Sequence, residues 1–158
     1  MMIGIILVSH AHIAQEMKHA VEHILGPQAY METLDVLSSD TADALQKELG
    51  NMIERCDRGD GALLFADMFG GTPCNIALSF LKEHQCEVIS GFNLPALVKA
   101  LSRRMDKDVD LSSLAREVME AGRQYICLAS DFMSAQAVSS ETPSETPSET
   151  PSKVESHA

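Results

Sequence analysis

His10 closes the first apolar run of this 158-residue chain, directly after Ser9. Asp67 closes another run, Ala62 to Ala66, three residues before Gly70-Gly71-Thr72-Pro73. Ligands and chemistry collect at the carboxyl ends of parallel strands. An imidazole there has two nitrogens with separable duties. A carboxylate on one fixes the tautomer and steadies the cation that forms, and the other is free to attack. A glycine turn opening a helix adds backbone N–H groups that can meet anionic oxygens. His10 as nucleophile and Asp67 as its orienting carboxylate, with Ser9, Gly70, Gly71 and Thr72 around them, are equipment for holding a phosphoryl group on histidine.

Each part alone is ordinary. A strand-end histidine is more often structural, an aspartate there caps a turn, and Gly-Gly-Thr-Pro reads equally as a tight strand–helix connection. The combination is more specific, because all three fall at strand carboxyl ends. His12 forms a His-x-His with His10. With Asp67 this would suit a metal-dependent hydrolase if both imidazoles faced one way. The chain turns into a helix at Ala11, which points them apart, so neither a metal nor a cofactor is expected. His19 and His23 read as a solvated helix face. Arg103 and Arg104 suit the negative end of a helix dipole, with partner docking as the alternative.

The elements that must position these residues alternate. Ile3 to Val8 is continuously apolar, as in a central parallel strand covered on both faces. Ile13, Met17, Ala20, Val21, Ile24 and Leu25 recur at helical spacing, and Gly26-Pro27 stops that helix. Met31 to Leu37 is a weaker strand. Ser39 or Asp40 can cap the next helix, striped by Ala42, Leu45, Leu49, Met52, Ile53 and Cys56. Ala62 to Ala66 is a second buried strand. Thr72 suits an N-cap, with Pro73 at the first helical position. Val88 to Ser90 is a fourth strand, and Pro95 opens a helix. A further helix spans Leu111 to Ala121 with Leu114, Ala115, Val118 and Met119 inward. Tyr125 to Leu128 is a last strand. The expected fold is α/β, an open and mainly parallel sheet with helices on both faces.

Composition narrows the partners. A net charge of −11 argues against nucleic acid and against an anionic membrane surface. The run at the amino end is too short for a membrane span and has no basic flank, so a cytoplasmic protein is expected. Cys56, Cys74, Cys86 and Cys127 form no CxxC and read as reduced core residues. Residues 1–133 are expected to form one domain. Residues 134–158, with Ser-Glu-Thr-Pro repeating from Ser140 to Ser152, have little to bury and are expected to be a disordered tail.

Three stretches carry a resemblance: Ile5-Ile6-Leu7-Val8-Ser9-His10, then Leu64-Phe65-Ala66-Asp67-Met68-Phe69-Gly70-Gly71-Thr72-Pro73-Cys74-Asn75, then Ile89-Ser90-Gly91-Phe92-Asn93-Leu94-Pro95. From Met1 to about Phe132 the chain resembles the IIA domain of the mannose/fructose/sorbose-family sugar phosphotransferase system. The resemblance implies a phosphotransferase component. His10 would be phosphorylated by the phosphocarrier HPr and would pass the group to a IIB protein for sugar uptake. Asp67 would orient His10, and Ser9 and the Gly71-Thr72 turn would receive the phosphoryl oxygens. It also implies a homodimer that exchanges a C-terminal edge strand, for which Tyr125 to Leu128 is the candidate. Met68 and Phe69 would suit an apolar rim where HPr or IIB docks. No IIB domain follows the tail in this sequence, which leaves open a regulatory module of an incomplete system. A phosphoryl donor for dihydroxyacetone kinase also fits the resemblance.

Overall fold

The computed structural model describes residues 2–81, 85–131 and 133. The Ser-Glu-Thr-Pro segment lies outside those residues. Residues 1–126 form one compact unit and residues 127–158 belong to a second. Of the second, the described part includes a short helical turn, in which the Asp131 N–H bonds the Leu128 carbonyl at 3.1 Å.

In the first unit strands and helices alternate: β1 (Gly4–His10), α1 (Ile13–Leu25), β2 (Met31–Val36), α2 (Ala42–Cys56), β3 (Ala62–Ala66), α3 (Thr72–Leu78), β4 (Cys86–Ser90), α4 (Leu94–Arg103) and α5 (Leu111–Gln124). The strands form one sheet, ordered β2-β1-β3-β4, with every pairing parallel. The strongest apolar runs, β1 and β3, take the two central places, where only a strand apolar on both faces can sit.

Side-chain alternation divides the core in two. Ile5 and Leu7 of β1 and Leu63 and Phe65 of β3 pack with α1, α4 and α5. Ile6, Val8, Ala62 and Leu64 face the other way, onto α2 and α3. This parity carries forward to the site. Ser9 falls on the α1 side and His10 on the side of α3.

Several expectations are corrected. Thr41, not Ser39 or Asp40, caps α2, accepting the Ala44 N–H at 3.3 Å. Asp40 instead accepts the Leu37 N–H, closing the turn before it. Gly71, not Thr72, is the N-cap of α3, because its extended backbone presents a carbonyl to the Asn75 N–H at 3.0 Å. Helix α5 runs to Gln124, and Tyr125 caps it. The expected strand Tyr125 to Leu128 does not form; its residues are exposed and pair with no strand among the described residues. A strand exists only where a neighbour completes its ladder. Ile13, Ile24 and Leu25 of α1 and Met119 of α5 are exposed, while Ala14 and Val21 hold α1 to the sheet.

Cys56, Cys74 and Cys86 are free and buried, but Cys127 is exposed. Burial pushes the Cys56 and Cys86 thiols up to about 11 each. Arg104 caps the carboxyl end of α4, the helix-end place expected of it, but it is buried and so does not offer a docking surface. Its guanidinium donates to the carbonyls of Ala29 and Tyr30 and to Gln28 Oε1 at 2.8 to 3.4 Å. Burial holds its pKa below the ordinary arginine value. Arg103 instead bonds Glu117 and Asp106 at the surface. Among the described residues no helix is long and apolar enough to cross a membrane.

Candidate functional site

The sheet brings His10 and Asp67 together. Val8 pairs with Ala66 in the β1–β3 ladder, so Asp67 leaves β3 one step beyond the last paired residue, beside the end of β1. Asp67 Oδ2 then accepts twice from one residue. The His10 backbone N–H lies at 2.9 Å and His10 Nδ1 at 2.9 Å. Asp67 Oδ1 accepts the Met68 N–H at 2.9 Å. One carboxylate thus sets both the peptide plane and the ring of the histidine.

The electrostatics favour an ionised Asp67. Burial by itself would raise its pKa. The His10 backbone N–H, the His10 ring and the Met68 N–H outweigh that and hold the carboxyl below the usual carboxylate range. An ionised carboxylate only accepts, so Nδ1 carries the proton, and in the neutral ring the lone pair then lies on Nε2. The His10 side chain is 45% exposed against 12% for Asp67. The carboxylate is sheltered, and the ring reaches solvent.

Gly71 shapes the space beside the ring. A Cβ built on it would lie 2.6 Å from His10 Cε1 and 3.2 Å from Nε2. A residue with a Cβ would force the imidazole to shift. Gly70 has φ of +82°, a conformation that favours glycine, and so turns the chain into α3. The Cε1–Nε2 edge of His10 therefore rests against the N-cap of α3. Thr72 follows it, exposed, as the first helical residue.

Ser9 lies elsewhere. It is fully buried, its hydroxyl accepts the Ala14 N–H at 2.6 Å, and it donates to the His10 carbonyl at 3.3 Å. In this arrangement it joins β1 to α1. His12 is not brought to the Asp67 side. Its Nδ1 meets Asp35 Oδ2 at 2.7 Å. Among the described residues no group of three or more His, Cys, Asp or Glu is placed to hold a metal ion. Asp35 was missed from sequence, although it sits near the carboxyl end of β2 in the same layer as His10 and Asp67. Met68 and Phe69 are exposed beside the site.

Comparison with known proteins gives the chain a family. The family described as "PTS system fructose IIA component" matches residues 4–119. The chain belongs to that family. The mannose-specific EIIAB component of the phosphotransferase system (PTS) of Escherichia coli K12 is 32% identical over 126 residues, which is 78% of this chain and 38% of that protein. The chain thus spans well under half the length of that relative. The sorbose-specific EIIA component of Lacticaseibacillus casei is 28% identical, covering 84% of this chain and 95% of its own length. Among solved structures, the phosphotransferase system component EIIA of Streptococcus agalactiae superposes with a TM-score of 0.75 at 25% identity, covering 82% of this chain and 99% of its own. That solved IIA protein shares the fold of this chain.

Proposed function

We propose that this IIA protein carries a phosphoryl group on His10 Nε2, receives it from phospho-HPr and passes it to a IIB protein during sugar uptake. The observation that carries the reading is the His10 Nδ1 to Asp67 Oδ2 contact of 2.9 Å, with the opposite ring edge against Gly71. In the transfer step the Nε2 lone pair attacks phosphorus, and the phosphorus–nitrogen bond of the donor histidine breaks. The donor ring keeps that electron pair. The proton on His10 Nδ1 stays in its bond to Asp67, and the carboxylate balances the charge gathered on the phosphorylated ring. Backbone N–H groups after Gly71 and the Thr72 hydroxyl are suitable donors to the phosphoryl oxygens; Pro73 offers none. Ser9 takes part through the backbone it fixes. Passage onward is the same step reversed.

The partners follow from the same reading. Exposed Met68 and Phe69 supply an apolar rim for HPr or IIB. A second copy of the chain is the expected dimer partner. Supporting this are the open edge of β4 and a groove of about 350 Å³ between β4 and α5, lined by Ser90, Ala96, Val118 and Gly122 among others. An added strand from residues 125–128 of that copy would complete the sheet there. The cytoplasm, where phospho-donors reside, is the expected location.

The test is incubation with enzyme I, HPr and phosphoenolpyruvate, then intact mass and site mapping. An acid-labile gain of one phosphoryl group on His10 is expected. No label on His10 with both donor proteins shown active would overturn the reading.

A further inference from the structure

We propose that the His12–Asp35 pair is a positioning clamp for His10, gripping the β1–α1 turn on the flank opposite Asp67. The inference rests on the phosphohistidine reading above. Strand β1 lies between β2 and β3. Asp67 follows β3 and Asp35 belongs to β2, so two carboxylates hold the end of β1 from opposite sides. Each grips the Nδ1 of one imidazole, at 2.9 and 2.7 Å.

The turn needs holding. Ala11, between the two histidines, has φ of +47°, a left-handed conformation that a residue with a Cβ rarely adopts. Such strain persists only where the surroundings over-determine it. Here the Ala11 N–H bonds the Val36 carbonyl at 3.0 Å, and Ser9 Oγ ties the Ala14 N–H to the His10 carbonyl. The β1–β2 register sets Ser9 beside Asp35 and His10 beside Val36. His12, by folding back onto Asp35, closes the last open corner of that turn.

Stability does not account for the clamp. The His12 side chain is 68% exposed, and an ion pair so placed contributes little. Asp35 Oδ1 is buried with no hydrogen-bond partner among the described residues, an arrangement that costs free energy. What the pair does supply is geometry. Asp67 holds the N–H side and the ring of His10, while the His10 carbonyl belongs to the turn, so a rotation of the Ala11–His12 segment reaches the Cα from which the ring hangs. Loosening the clamp should therefore slow the bound step and leave donor docking alone.

The experiment is single-turnover transfer from phospho-HPr at varied donor concentration, with His12→Ala, Asp35→Ala, the double variant and His12→Asn. Loss of the clamp should lower the maximal rate roughly tenfold, the scale of a small misplacement at a reacting atom. The half-saturating donor concentration should stay within about twofold. The double variant should be no slower than either single one, because both remove one interaction. In His12→Asn the side-chain amide donates from the position of Nδ1, so most of the rate should return. The NMR signal of the His10 Nδ1 proton should move in the alanine variants and return in His12→Asn. A rate within about twofold of wild type, additive losses, or a loss confined to donor affinity would each overturn the clamp. Should Asp35→Ala fail to fold, the two variants of exposed His12 decide the matter. Failure of the phosphohistidine reading looks different: wild type itself takes no label on His10, and the NMR signal still reports on the clamp.

Discussion

Two imidazole–carboxylate pairs stand at the carboxyl end of this sheet, and behind similar bonds their surroundings differ. Asp67 is sheltered and accepts from two backbone N–H groups besides the His10 ring. Asp35 bonds His12, and its second oxygen is buried without a partner among the described residues. The His10 ring lies against Gly71 at the start of a helix. The His12 ring stands in solvent. The bond between imidazole and carboxylate is thus not what distinguishes a nucleophile. A carboxylate held ionised by its own N–H donors, and a backbone without a Cβ against the ring, are what the first pair has and the second lacks.

The comparison breaks most plainly at the nucleophile. His10→Ala should remove the label from that position and reduce onward transfer by more than about 10³-fold, since no neighbouring group replaces the lone pair. Transfer that survived at wild-type rate with the label on His12 would invert the assignment. Asp67→Ala comes next. It should slow phosphoryl receipt by about 10² while circular dichroism shows the fold retained, because tautomer and orientation are lost together.

Gly71→Ala sharpens the contrast between the rings. The new Cβ would meet His10 Cε1 at 2.6 Å, so the ring must shift, and a loss of roughly tenfold in rate is expected. An unchanged rate would show that the ring and the turn are not packed as described.

A smaller effect is the pH dependence that Asp67 confers. Asp67 is depressed in the folded protein, so its contribution to stability is present above the ordinary carboxylate value of about 3.9 and is lost as pH falls through the lower folded value. Asp67→Asn should be less stable than wild type at neutral pH, and the gap should close as acid denaturation proceeds below about pH 4. A gap independent of pH would contradict the depression. The smallest effect is expected from deleting residues 139–158. Phosphoryl receipt and thermal midpoint should match the full chain, and a large fall in the midpoint would assign that segment a structural role.

Much of the site was legible because it follows from local rules. A buried strand ends where apolar residues end, and parallel strands put their carboxyl ends on one side. His10, Asp67 and the glycine turn were therefore placed in one layer from the residues alone. The use of each polar atom was not legible. Ser9 looks like a ligand in sequence, yet strand alternation aims it at α1, where the Ala14 N–H takes its hydroxyl. Arg104 reads as a helix-end cation, yet it is buried beneath residues 28–30, where three oxygens accept from it. Such partners lie more than seventy residues apart in the chain.

By itself, then, the sequence determined the alternation of strand and helix, the central places of β1 and β3, and the residue types at the strand ends. Periodicity and apolar continuity depend on neighbours in the chain, so a linear reading finds them. Only the tertiary structure decided that His10 leans on Asp67 while His12 leans on Asp35, that Gly71 rather than Thr72 caps α3, and that residues 125–128 pair with no strand among the described residues. Those outcomes depend on which groups meet across the sheet. A hydrogen bond or a ladder is satisfied by whatever partner the fold delivers, and that partner is not written beside the residue that needs it.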